Sequence, residues 1–148
     1  MEVGTVAVTI RTPPDGTTGA HGEEAVLGFA AAITRVDPEG GVAVCDPEVD
    51  FLSVLAVDGV AYHGHAGIRQ YFDDMASAWE EWRIEVHRVT PTPDGRVVIE
   101  MTMHARGKGS GAPLSEFAAH VWTVRNGKLL RNRPFREPEP AMREAGLL

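Results

Sequence analysis

The sequence predicts an α+β domain in which a few helices lie against a curved antiparallel sheet, and three observations predict it. Apolar residues recur at helical spacing over residues 22–36 and again from Ile68 onward. After Arg83 the period changes to two and stays there as far as Phe135. Helices, one strand and a long helix therefore precede a block of four strands, an order that gathers the helices on one face of an antiparallel sheet.

Residues 1–11 alternate, with Val6, Val8 and Ile10 on one side, and Pro13-Pro14-Asp15-Gly16 then breaks any regular element. This N-terminal extension, residues 1–21, reads either as an edge strand or as a loose tail. The main domain is expected over residues 22–148. Its first helix carries Val26, Ala30 and Ile33 in one stripe with Phe29 beside them, while Glu23, Glu24 and Arg35 occupy other faces. Asp37-Pro38-Glu39 starts a second helix: Asp caps free N–H groups, Pro is tolerated at the first helical position, and Glu suits the dipole. Gly40-Gly41 keeps that helix short.

A strand is expected over residues 49–57, followed by the clearest helix. Ile68, Phe72, Met75, Trp79 and Trp82 follow steps of 4, 3, 4 and 3 and form one stripe, with Arg69, Asp73, Asp74, Glu80 and Glu81 elsewhere. Each large side chain of such a stripe contributes about 1.5–3 kcal/mol on burial, before entropy is set against it. The stripe serves either as ordinary core or as the wall of a ligand pocket. Beyond it, Ile84, Val86 and Arg88 oppose Arg83, Glu85 and His87. A turn at Pro91-Thr92-Pro93-Asp94-Gly95 leads to a strand with Val97, Ile99, Met101 and Met103 on one face and Glu100, Thr102 and His104 on the other. Gly107-Lys108-Gly109-Ser110-Gly111 lacks the order of a phosphate-binding loop and reads as a flexible hairpin connection. The next strand runs over residues 114–125, Asn126-Gly127 signals a hairpin, and the last strand over 128–135 leads to a short helix ending near Gly146.

The 148 residues are 43% hydrophobic and 24% charged, which suits one domain around one core. A net charge of -7 disfavours a nucleic acid partner, since a uniformly acidic surface repels phosphate. No apolar run approaches the roughly 20 residues that span a bilayer, so no membrane partner is expected. The first residues lack the basic and apolar regions of a secretory leader. Cys45 is the single cysteine, so an internal disulfide is excluded, and the expected location is the cytoplasm. Among Val42, Ala43 and Val44, Cys45 itself reads as a small packing residue.

Several motifs, in this order, resemble the SnoaL-like branch of the nuclear-transport-factor-two-like superfamily. They are Gly64-His65-Ala66-Gly67-Ile68-Arg69, Ala78-Trp79-Glu80-Glu81-Trp82, the stretch Ala105-Arg106-Gly107 with its glycines, and Phe117-Ala118-Ala119-His120-Val121-Trp122. Asn126-Gly127-Lys128 and Ala141-Met142-Arg143-Glu144-Ala145-Gly146-Leu147 complete the resemblance, which spans residues 22–148. It implies a cone: a strongly bent sheet wrapped around helices, with a pocket at the open end. Similar proteins include ketosteroid isomerases, polyketide cyclases, scytalone dehydratases and epoxide hydrolases alongside binding modules, and they are frequently homodimers. Their enzymes place a carboxylate or His in an apolar cavity, where desolvation shifts its pKa. Aligned on Val49-Asp50, the isomerase base position falls on Phe51 and the late-strand acid on Ala119, next to His120. A steroid isomerase is therefore disfavoured.

The candidate acid–base group is His120, with Asp50 or Glu116 as its carboxylate counterpart and Arg133 as charge stabiliser. Glu116, Ala118, His120 and Trp122 share one strand face, which points either into the cavity or out to a dimer contact. Glu116 and His120 lie roughly 13 Å apart along the strand, suited to opposite ends of one ligand. Asp50 shares a face with Leu52 and Val54, where it acts as a base or ends a turn begun by Asp46-Pro47. Phe72, Met75, Trp79, Trp82 and Trp122 are the candidate ligand wall, with His63 at its rim. His63 and His65 share a side only if that segment is extended, and no third ligand is identifiable, so no metal and no cofactor are expected. Two functions stay open: a cofactor-free acid–base enzyme acting on a small apolar organic molecule, and a non-catalytic ligand-binding or protein-interaction module.

Overall fold

The computed structural model describes residues 20–53 and 61–148. The expected N-terminal strand, the breaker stretch after it and residues 54–57 of the expected strand lie outside the described residues.

The first helix, α1 (Ala20–Arg35), turns Val26, Phe29, Ala30 and Ile33 into the core, as its spacing predicts. Val36 ends it in a left-handed conformation (φ 58°). The chain restarts at once in α2 (Pro38–Ala43), where the Asp37 carboxylate accepts a hydrogen bond from the Gly40 amide at 3.0 Å. β1 (Cys45–Leu52) begins four residues before the expected strand, so Cys45 belongs to it. The Cys45 side chain is buried, and burial pushes its thiol up to about 12.

After β2 (Ala61–His63), Gly64 takes a positive φ of 70° and opens α3 (Gly64–Ala78). Ile68, Tyr71, Phe72 and Met75 bury against the sheet. Here the structure corrects the sequence expectation. The helix stops at Ala78; Trp79 is already extended, and both tryptophans belong to β3 (Trp79–Pro91). The reason is pairing: Trp82 sits opposite Ala105 in the ladder with β4 (Val97–Gly107), and Trp82, Ile84 and Val86 alternate inward with period two. A second correction follows from a bulge between Val86 and Arg88. The extra residue, His87, rotates Arg88 outward opposite Glu100 and gives the inward position to Val89, opposite Ile99.

β5 (Pro113–Arg125) and β6 (Lys128–Phe135) complete the sheet, joined by Asn126 and Gly127 at φ 52° and 75°, the left-handed pair a two-residue hairpin needs. Strand order is β2-β1-β6-β5-β4-β3, antiparallel except for the β1–β6 pair. The result is a six-stranded, curved, unclosed sheet packed on helices, which is a cone. Its inner face meets α1 and α3. Its outer face buries Val98, Ala119 and Val121, with Ala141 and Ala145 of the α4 region (α4, Pro138–Glu144) in the same cluster. Two hydrogen bonds tie the end of α1 to β3: Trp82 Nε1 donates to the Ile33 carbonyl at 2.7 Å, and the Ile84 amide donates to Thr34 Oγ1 at 3.1 Å.

Candidate functional site

Paired strands set the inner wall. Ile99 lies opposite His120 and Met101 opposite Ala118, so β4 and β5 present these four side chains side by side. Phe29 and Ile33 of α1, Tyr71 of α3 and Phe51 of β1 face them across a recess. The recess is narrow: its empty space amounts to about 480 Å³ only when its mouth to solvent is included. Aromatic packing holds its shape. Phe51 stacks on Trp122 at 5.8 Å with the planes 2° apart, while Phe29 and Tyr71 meet Phe51 edge-on at 5.2 Å and 4.9 Å.

One buried ionisable imidazole interrupts this lining. His120 is 4% exposed, and burial alone lowers its pKa to about 4, so the ring is neutral at neutral pH. Its Nδ1 lies 3.0 Å from Nδ2 of Asn132, whereas its Nε2 is buried with no partner among the described residues. Asn132 also closes a two-bond clamp on β1: the Leu52 amide donates to Oδ1 at 2.8 Å and Nδ2 donates to the Leu52 carbonyl at 2.9 Å. The Tyr71 hydroxyl is hydrogen-bonded with Ser53 and is held protonated, chiefly by burial.

The remaining sequence candidates scatter. The Glu116–His120–Trp122 face of β5 does point inward, with His120 and Trp122 in the lining. Glu116 lies further along the same face, outside the lining, with its carboxylate 3.7 Å from the Arg136 guanidinium. Asp50 does not enter apolar space. Val49 and Phe51 take the inward positions of β1, so alternation turns Asp50 out to solvent, 2.8 Å from His63. His63, expected at the pocket rim, is 70% exposed beside it. Arg133 is likewise outward, ion-paired with Glu144 at 3.0 Å and placed over the Phe135 ring.

Phe72 and Met75 are core residues of α3 outside the lining, Phe72 packing edge-on against Tyr71. Trp79 and Trp82 are also outside it; the Trp82 indole is spent on the Ile33 carbonyl. The two histidines around Gly64 diverge because the helix starts between them, and the His65 ring turns to the Cys45 carbonyl at 2.9 Å. Among the described residues, no three His, Cys, Asp or Glu side chains converge as a metal site would require. Sequence reasoning missed Asn132. Its signal was the flanking pair Arg131 and Arg133: two arginines that cannot both face an apolar wall leave the residue between them pointing inward.

A family model described as a SnoaL-like domain matches residues 26–132. Among solved structures, TerC co-crystallised with polyporic acid is 24% identical with a TM-score of 0.69, over 85% of this chain and 98% of that one. A Catenulispora acidiphila protein with a ketosteroid isomerase-like fold, in complex with trimethylamine, is 18% identical with a TM-score of 0.68, over 84% and 94%. SalBIII, described as epoxide hydrolase/cyclase-like and linked to pyran ring formation in the polyether salinomycin, is 19% identical with a TM-score of 0.67, over 81% and 95%. At these identities the likeness shows the fold. No curated protein matches the chain.

Proposed function

The chain belongs to the SnoaL-like domain family, and we propose that its recess holds a small, largely apolar organic molecule with His120 as the polar contact. One observation carries this reading: a buried imidazole, one nitrogen unpartnered among the described residues, lines a recess whose walls are otherwise apolar or aromatic apart from Ser53, which is hydrogen-bonded with Tyr71. A buried polar atom without a partner is costly, and a ligand that supplies the partner recovers that cost on binding. The polyporic acid co-crystallised with TerC and the epoxide hydrolase/cyclase-like description of SalBIII are consistent with an organic ligand here.

In its catalytic form the reading makes His120 the group that gives or takes a proton during isomerisation, cyclisation, dehydration or epoxide opening. General acid–base groups typically contribute about 10²–10⁴-fold, so His120→Ala lowers turnover of any such reaction by that order while the fold persists. A non-catalytic holder keeps the recess and the contact without the turnover. The homodimer implied by the family resemblance is part of the same proposal, checked by light scattering.

The recess itself is tested with toluene, an apolar probe with no hydrogen-bonding group. Saturable shifts of the Met101 and Met103 methyl signals, with Met142 on the outer side unchanged, are expected in carbon-labelled protein. Unmoved Met101 and Met103 signals at toluene saturation would sink the reading.

A further inference from the structure

We infer that the recess selects a ligand carrying an acceptor oxygen, a carbonyl or a cyclic ether, because Asn132 fixes the proton of His120 on Nε2. This rests on the reading of the recess as a ligand site and adds the chemical class of what enters.

The argument starts at the backbone. The Leu52 amide can only donate and its carbonyl can only accept, so the clamp that Leu52 makes with Asn132 admits one orientation of the side-chain amide. Turned over, the amide would set oxygen against oxygen and N–H against N–H. The atom 3.0 Å from His120 Nδ1 is therefore the amide nitrogen, which has hydrogens and no acceptor capacity. Nδ1 must accept, and a neutral ring then carries its proton on Nε2.

Among the described residues that nitrogen is the unpartnered one, and it is itself out of water's reach. Its ring lines the recess, so the N–H is the donor that a ligand oxygen with a free lone pair would satisfy on reaching it. A ligand group that only donates would meet a hydrogen instead. Asn132 acts here as a positioning residue, through the ring, and its clamp makes the tautomer a property of the β1–β6 contact.

Two measurements test this on the full chain. The first is a long-range proton–nitrogen correlation spectrum of nitrogen-labelled protein at neutral pH. His120 is expected with a protonated Nε2 and a bare Nδ1; a proton on Nδ1 overturns the inference. Asn132→Asp presents an acceptor to Nδ1 and is expected to move the proton there, a change that loosened packing alone would not produce. Should that variant fail to fold, the wild-type spectrum still decides.

The second measurement titrates three five-membered rings of similar size: cyclopentanone, which accepts; pyrrole, which donates; and cyclopentene, which does neither. Cyclopentanone is expected to bind about tenfold tighter than either of the others, the scale of one buried hydrogen bond. That preference is expected to vanish in His120→Phe. Equal binding of all three overturns the inference and leaves the pocket reading standing. No binding by any of them, nor by toluene, overturns both.

Discussion

Glu100 and His120 invite comparison, because both are buried ionisable residues one register step apart on neighbouring strands, facing opposite sides of the same sheet. Glu100, 5% exposed on the outer face, has Arg88 Nε at 2.8 Å from Oε2, an ion pair whose angle falls short of a hydrogen bond. His120, 4% exposed on the inner face, has a partner at one nitrogen and, among the described residues, none at the other. The outer charge meets its opposite, and the sheet there is structure. The inner group is left half satisfied where apolar neighbours could have replaced it. Among the described residues, Glu100 Oε2, Trp79 Nε1 and Thr90 Oγ1 are also buried without a hydrogen bond, so what sets His120 apart is its place in the lining of the recess.

The largest way to break that contrast is to remove the wall. Trp122→Ala is expected to cost about 3–5 kcal/mol in urea unfolding, because a fully buried aromatic leaves a cavity that only partly collapses. Val121→Ala, its outward neighbour, removes fewer buried atoms and costs less. Equal costs would mean that the two faces are packed alike.

A second test uses acid. The His120 pKa is lowered from 6.5 to about 4 by burial, so the unfolded chain takes up this proton first as pH falls. Stability therefore declines from pH 6.5 down to about 4, by a total on the order of 3 kcal/mol from this group. His120→Gln lacks the titration, and its unfolding free energy is expected to fall less steeply across the same range. Parallel pH curves for the two proteins would show that the ring is not held neutral by the fold.

On the outer face, Arg88→Met strands the Glu100 carboxylate. A loss of about 1–3 kcal/mol is expected, toward the low end because Arg88 is itself 36% exposed. Adding Glu100→Gln should recover part of it, read by the same denaturation experiment. The smallest effects belong to Asp50→Asn and Arg133→Ala. Both residues lie in exposed ion pairs, so changes within about 0.5 kcal/mol and an unaltered toluene titration are expected. A lost toluene response in either variant would place the site elsewhere.

Much of the architecture was legible because it rests on local periodicity. The Val26–Ala30–Ile33 stripe, the Asp37 cap and the Asn126-Gly127 hairpin each declare themselves within a few residues. The end of α3 was not legible in that way. Trp79 and Trp82 fit a helical step, and only the ladder partner across the sheet decides between helix and strand. Arg88 was misplaced for a related reason, since a bulge leaves no signature in one strand read alone. At the site, the β5 face with Ala118, His120 and Trp122 was singled out but left open between cavity and dimer contact, and the companion of His120 was sought among charged residues. Asp50 and Arg133 face out, and the group that meets the ring is a neutral amide from a strand 12 residues onward in the chain.

The parallel pairing of β1 with β6 has a kinetic consequence. β3 to β6 follow one another as hairpins, but the Leu52–Asn132 clamp joins residues 80 positions apart. Closing so long a loop is entropically slower than zipping hairpins. We therefore expect the meander to assemble first and the recess to be the last part of the molecule to come into existence. Pulse-labelled amide exchange during refolding should find Leu52 protected after Ile99 and Val121, and the reverse order would refute this.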